Sequence, residues 1–125
     1  MFIEDLHKAL RRGSEGVMRP LLPPGYGVEA GLLRGRVHEF CGSARQVLAA
    51  LVMQADPAPA APVLWIAPAW LPGGPHPAGL APFTDAGRVI LARPRRAVDI
   101  LWTMEEALRS GEVPLVLAEV TAAPH

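Results

Sequence analysis

The sequence predicts an α/β fold of three layers, with a mostly parallel sheet between helices. Short apolar runs rich in β-branched and aromatic residues alternate with stretches of helical periodicity. Those runs show no in/out alternation, as expected of strands covered on both faces. A chain of 125 residues, 50% of them hydrophobic, suits one domain with a single core. Within it we expect an N-terminal helix and lead-in loop over 1–34 and the α/β core over 35–125.

Phe2, Ile3, Leu6, Ala9 and Leu10 recur at helical spacing, and Gly13 after Arg11 and Arg12 is a stop signal, so the chain should open on a short amphipathic helix. The Pro/Gly-dense stretch "RPLLPPGYGVEAGLLRG" then leads to a strand at Arg36–Cys41. A nearly all-apolar helix follows from about Ser43, its N-cap, to Gln54. "PVLWIAP", Pro62 to Pro68, reads as a buried central strand. Eight of the fourteen prolines lie between Pro57 and Pro82, so the segment beyond that strand should be a long loop with one turn of helix at most. "RVILARP", Arg88 to Pro94, is a third strand, Ala97 to Ser110 a helix, and "PLVLAEV", Pro114 to Val120, a fourth strand. On that last helix Ala97, Ile100, Leu101, Met104, Ala107 and Leu108 share the expected core face, opposite Asp99, Thr103, Glu106 and Ser110.

Composition narrows the function classes. Lys+Arg and Asp+Glu are both 12, so no overall charge draws the chain to nucleic acid or membrane, although eleven of the cations are Arg and some cluster. A single cysteine rules out an internal disulfide framework and suits a reducing cytosol, and the N-terminus lacks the pattern of a signal peptide. The apolar runs fall far short of the roughly 20 residues that span a bilayer. A cytoplasmic protein without a membrane partner is expected.

The stretch "GRVHEFCGSARQVLAALVMQAD", Gly35 to Asp56, has the layout of a phosphate-binding loop: strand, Gly turn, helix. That loop needs G-x-x-x-x-G-K-[ST], with glycines to curl backbone N–H groups around phosphates, lysine to reach their oxygens and a hydroxyl for magnesium. Counted from Gly42, the second glycine is Val47, the lysine is Leu48 and the hydroxyl is Ala49. All three requirements fail together, so we expect no bound nucleotide, cofactor or metal.

The order "GRVHEFCG…VLWIAPAW…RVILARPRRAVDILWTMEEALRSGEVPLVLAEV" resembles the core of the RecA recombinase family. "GLLRGRVHEF", Gly31 to Phe40, and "LWTMEEALRSG", Leu101 to Gly111, are more closely similar to the RecA-related ImuA family, over roughly Leu21 to Val120. The resemblance implies a truncated RecA-like core and a place in DNA-damage tolerance and SOS mutagenesis beside an error-prone polymerase. It puts Pro68 where the family has a catalytic glutamate, and Glu119 at the Walker B acid. We read Glu119 as a polar residue at a strand end rather than as a metal ligand. The recombinase DNA-binding loops lie beyond the Walker B strand, and here the sequence stops at "TAAPH", so weak or no DNA binding is expected.

Other chemistry finds less support. Cys41 and His38 stand three apart on a strand and point to opposite faces, so they make no thiol–imidazole pair, and Cys41 should be a core residue. His7, His38, His76 and His125 have no partner at zinc-ligand spacing. Glu105 and Glu106 diverge by about 100° on a helix and form a solvated flank rather than an acid/base pair. Two features face outward in this reading. Arg93, Arg95 and Arg96 in "RPRR" are either a phosphate or DNA contact or a solvated turn. Trp102 lies off the apolar stripe of its helix, and either packs under the Pro57–Pro82 loop or anchors a partner. The function expected is therefore that of a catalytically silent RecA/ImuA-like protein, not an enzyme, working through a protein partner or a homo-oligomer. The alternatives are an ATPase with a non-standard loop and a small ligand-binding or structural α/β domain.

Overall fold

A computed structural model of the chain describes residues 2–4 and 31–120. The strands are β1 (Phe2–Glu4), β2 (Val37–Glu39), β3 (Val63–Ile66), β4 (Val89–Ala92) and β5 (Leu115–Ala118). The helices are α1 (Arg45–Ala55), the single turn α2 (Pro77–Leu80) and α3 (Ala97–Ser110). One sheet runs in the order β2-β1-β5-β3-β4.

The α/β class holds, with a parallel part of three strands. β3 pairs in parallel with β4 on one side, Val63 against Val89, and with β5 on the other, Val63 against Leu115. The remainder corrects the mostly parallel sheet: β1 is antiparallel to both β2 and β5. Phe2–Glu4 thus forms a strand, not the start of a helix. Helical spacing over so few residues is weak, because a short isolated helix is marginal in water, whereas a strand paired on both sides gains two hydrogen-bond ladders. The remainder of the expected helix and most of the lead-in loop, residues 5–30, lie outside the described residues.

All four residues of β3 and of β5 are buried because each face of the sheet carries a helix. Val63, Trp65, Leu115 and Leu117 pack with Ala49, Ala50, Val52 and Met53 of α1. The alternate residues Leu64, Ile66, Val116 and Ala118 pack with Ile100 and Met104 of α3. Helix α3 has the expected bounds and ends at Gly111, whose φ of 71° suits the left-handed C-cap. Its seat on the sheet is narrower than the expected core face. Ile100 and Met104 are buried, but Leu101 is 60% exposed and Ala97 is exposed too. A single helix on a nearly flat face buries only the residues nearest the contact line, and Leu101 lies about 100° round from Ile100. At α1, Ala44 rather than Ser43 takes the N-cap position, and no side chain caps it.

The link from α1 to β4 carries a buried ion pair that the sequence reading did not identify. Arg88 Nη2 donates to Asp56 Oδ2 at 2.6 Å, with side-chain exposures of only 3% and 4%. The guanidinium also donates to the carbonyls of Ala61 and Ala58 and to Thr84 Oγ1, while Asp56 Oδ1 accepts from the Ala58 amide. The charges are out of water, and their hydrogen-bonding groups have partners on three segments of chain.

Candidate functional site

The turn between β2 and α1 has the expected strand–Gly–helix layout. Gly42 sits at φ 122°, and the Arg45 amide donates to its carbonyl at 3.3 Å. At the positions where a phosphate loop places its second glycine, lysine and hydroxyl, Val47 is 56% exposed, Leu48 is half-buried and Ala49 is wholly in the core. No cationic or hydroxyl side chain stands at those three positions.

Glu119, just past β5, is 2% exposed. Its amide donates to Ile66 O, extending the β5–β3 ladder by one residue. Its Oε2 accepts from Trp65 Nε1 at 3.2 Å and its Oε1 from Gln46 Nε2 at 3.3 Å, with Arg45 Nε 3.6 Å from Oε1. The carboxylate ties the first turn of α1 to the sheet at the C-terminal ends of the parallel strands, the edge at which α/β sheets present sites. This cluster of Arg45, Gln46, Trp65 and Glu119 went unread in the sequence. Its members come from three elements, and only the strand register brings them together. Pro68, just past β3, is buried.

Beside the cluster lies a cleft of about 200 Å³, with Gln46, Val47, Trp65, His76, Leu80 and Phe83 in its lining. His76 uses Nδ1 to accept the Ala78 amide and cap α2. Among the described residues neither lysine nor arginine lines this cleft, and its apolar walls do not balance the charge of a triphosphate.

The arginines of "RPRR" divide. Arg93 reaches back over the Pro-rich loop and donates to the carbonyls of Gly73 at 3.0 Å, Leu71 at 2.9 Å and Pro68 at 3.3 Å. Arg96 makes a two-pronged ion pair with Asp99, both bonds 2.8 Å. The hydrogen bond from Arg96 holds the Asp99 carboxyl below the usual aspartate range, and the same contact raises Arg96. Arg95 is exposed and makes no ion pair with a described residue.

Cys41 is exposed, not a core residue: β2 stops at Glu39, so Cys41 belongs to the turn. His38 is held at 2.9 Å from the Leu33 carbonyl by its Nε2. Glu105 and Glu106 both pair with Arg109 on the exposed flank of α3. Trp102 is 60% exposed, so it does not pack under the Pro57–Pro82 loop. Among the described residues no group of three His, Cys, Asp or Glu could hold a metal ion, and no helix is long and apolar enough to cross a membrane. Comparison with protein-family models, curated proteins and solved structures gives no match.

Proposed function

We propose that this chain is a catalytically silent RecA/ImuA-like domain of the cytoplasm. It acts through protein contacts in the bacterial DNA-damage response, in company with an error-prone polymerase. The observation that carries this reading is the state of Glu119. It is the one acid at a Walker B-like position, and among the described residues its carboxylate is engaged by Trp65, Gln46 and Arg45. An acid committed to internal hydrogen bonds is poorly placed to hold magnesium. The order of the sequence motifs supports the family resemblance, and the strand–Gly–helix turn without its chemistry agrees with the silent role.

The test is calorimetric titration with ATP and magnesium. The expected outcome is no heat of binding up to about 1 mM nucleotide, the range where even affinities near −4 kcal/mol register. A micromolar dissociation constant would overturn the reading in favour of a non-standard ATPase.

A further inference from the structure

Helix α3 turns Val98, Trp102, Glu105 and Arg109 away from the sheet. At about 100° per residue the four fall in a stripe roughly 60° wide, opposite Ile100 and Ala107. Val98 is 66% exposed, and Leu101 at the border of the stripe is as open as Trp102. Next to them Leu101, Met104, Glu105, Leu108 and Arg109 line a groove of about 430 Å³. Val, Leu and Trp together on the outer face of a two-sided helix form a contiguous apolar patch of the kind that marks an interaction surface.

The charges along α3 identify what fits there. Its N-terminal end carries Arg93, Arg95 and Arg96 against one acid, Asp99; its C-terminal end carries Glu105, Glu106 and Glu112 against one cation, Arg109. Arg95 and Arg96 at the start and Glu112 past the C-cap all oppose the helix macrodipole, and Asp99 and Arg109 offset this only in part. A second α3 laid antiparallel brings an acidic end to each basic end and opposes the two dipoles. A parallel copy would set like charges together.

We propose that α3 is the face through which two copies of this chain pair, antiparallel about a two-fold axis at the middle of the stripe, between Thr103 and Met104. This axis brings Arg95, one residue before the N-cap of each copy, to the same end of the pair as Glu112, one residue past the C-cap of the other. It lays the stem of Arg109 over Val98 of the second copy and brings the two Trp102 rings together beside the axis. The guanidinium of Arg109 then reaches an indole face, and the contact is isologous, each copy giving what it receives. The proposal rests on the reading that the chain works by contact, and it names the partner as a second copy.

The test is sedimentation of the full chain from about 1 to 300 µM, the range of modest homodimers. We expect a monomer–dimer equilibrium that Trp102→Ala weakens by roughly tenfold or more. Arg95→Glu and Glu112→Arg should each weaken it as well, whereas an equimolar mixture of these two variants should associate more tightly than either alone. In the mixed dimer both end contacts again join opposite charges. A merely structural role for either residue gives no such rescue. A strictly monomeric chain overturns the pairing, even one in which residues outside the described segment bury Trp102. A mixture no tighter than its components overturns it too. ATP titration is independent: a monomer indifferent to ATP removes only this pairing, while a dimer that binds ATP removes only the silent reading.

Discussion

Trp65 and Glu119 are joined across the β3–β5 pair by a hydrogen bond of 3.2 Å from indole Nε1 to carboxylate Oε2, with both residues out of solvent. The indole has one donor, and nothing apolar can replace the acceptor without leaving it unpaired. Glu119→Ala should therefore cost about 3 kcal/mol of unfolding free energy, since a buried Trp N–H and the Gln46 amide lose their partner together. Glu119→Gln keeps one carbonyl acceptor and should cost about 1 kcal/mol. Urea denaturation followed by tryptophan fluorescence checks both. Equal, negligible losses would mean that water readily replaces the carboxylate.

The Asp56–Arg88 pair predicts a larger effect. With both side chains buried, removing one partner strands the other charge, so Asp56→Ala or Arg88→Ala should each destabilise by about 3–5 kcal/mol. Replacing both, as Asp56→Ala with Arg88→Ala, should cost less than the sum of the single losses, because no lone charge is left behind. Additive losses in a double-mutant cycle would show that the two groups act independently.

Much of this fold could be read from residue pattern, and the failures share a cause. Helix α3 was legible to its last residue because its periodicity is long and Gly111 supplies the stop. β3 was legible because an unbroken apolar run between prolines has few other uses. Phe2–Glu4 was not, since three residues take their structure from neighbours on β2 and β5 rather than from their own spacing. Leu101 and Cys41 were misplaced for a related reason. Periodicity shows which residues share a face, but not how far round the helix the sheet reaches or where a strand stops. The gaps at Val47, Leu48 and Ala49 needed only a motif count. The partners of Glu119 needed the register between β3 and β5, which no local pattern encodes.

Asp99 gives a prediction in pH. The hydrogen bond from Arg96, followed by its charge, lowers the carboxyl in the folded chain. A depressed carboxyl stabilises the fold above its unfolded value, and that contribution is lost as pH falls through the folded value. Side-chain NMR titration should therefore find Asp99 below an ordinary aspartate in the wild type and returned towards it in Arg96→Ala. The stability change should be small, because Arg96 is exposed and solvent screens the pair. An Asp99 unchanged by loss of Arg96 would remove the pair as the cause.

At the "RPRR" turn, what its arginines already do limits what they can offer to DNA. Arg93 is occupied by three loop carbonyls, so Arg93→Ala should speed amide exchange over residues 69–74 rather than weaken any nucleic-acid contact. Arg96 is shared with Asp99, which leaves Arg95 and at most part of Arg96 for phosphate. Two phosphate contacts on a single strand give a slope of about −1.4 in log K against log salt, and neutral net charge adds no long-range attraction. Gel shifts with single-stranded DNA at physiological salt should therefore show binding no tighter than about 10⁻⁴ M, the weak end of non-specific contact, and Arg95→Ala should reduce it further. Nanomolar binding that survives alanine at Arg93, Arg95 and Arg96 would place a nucleic-acid surface elsewhere on the chain, and the contact-only reading would give way to one in which DNA is a direct ligand.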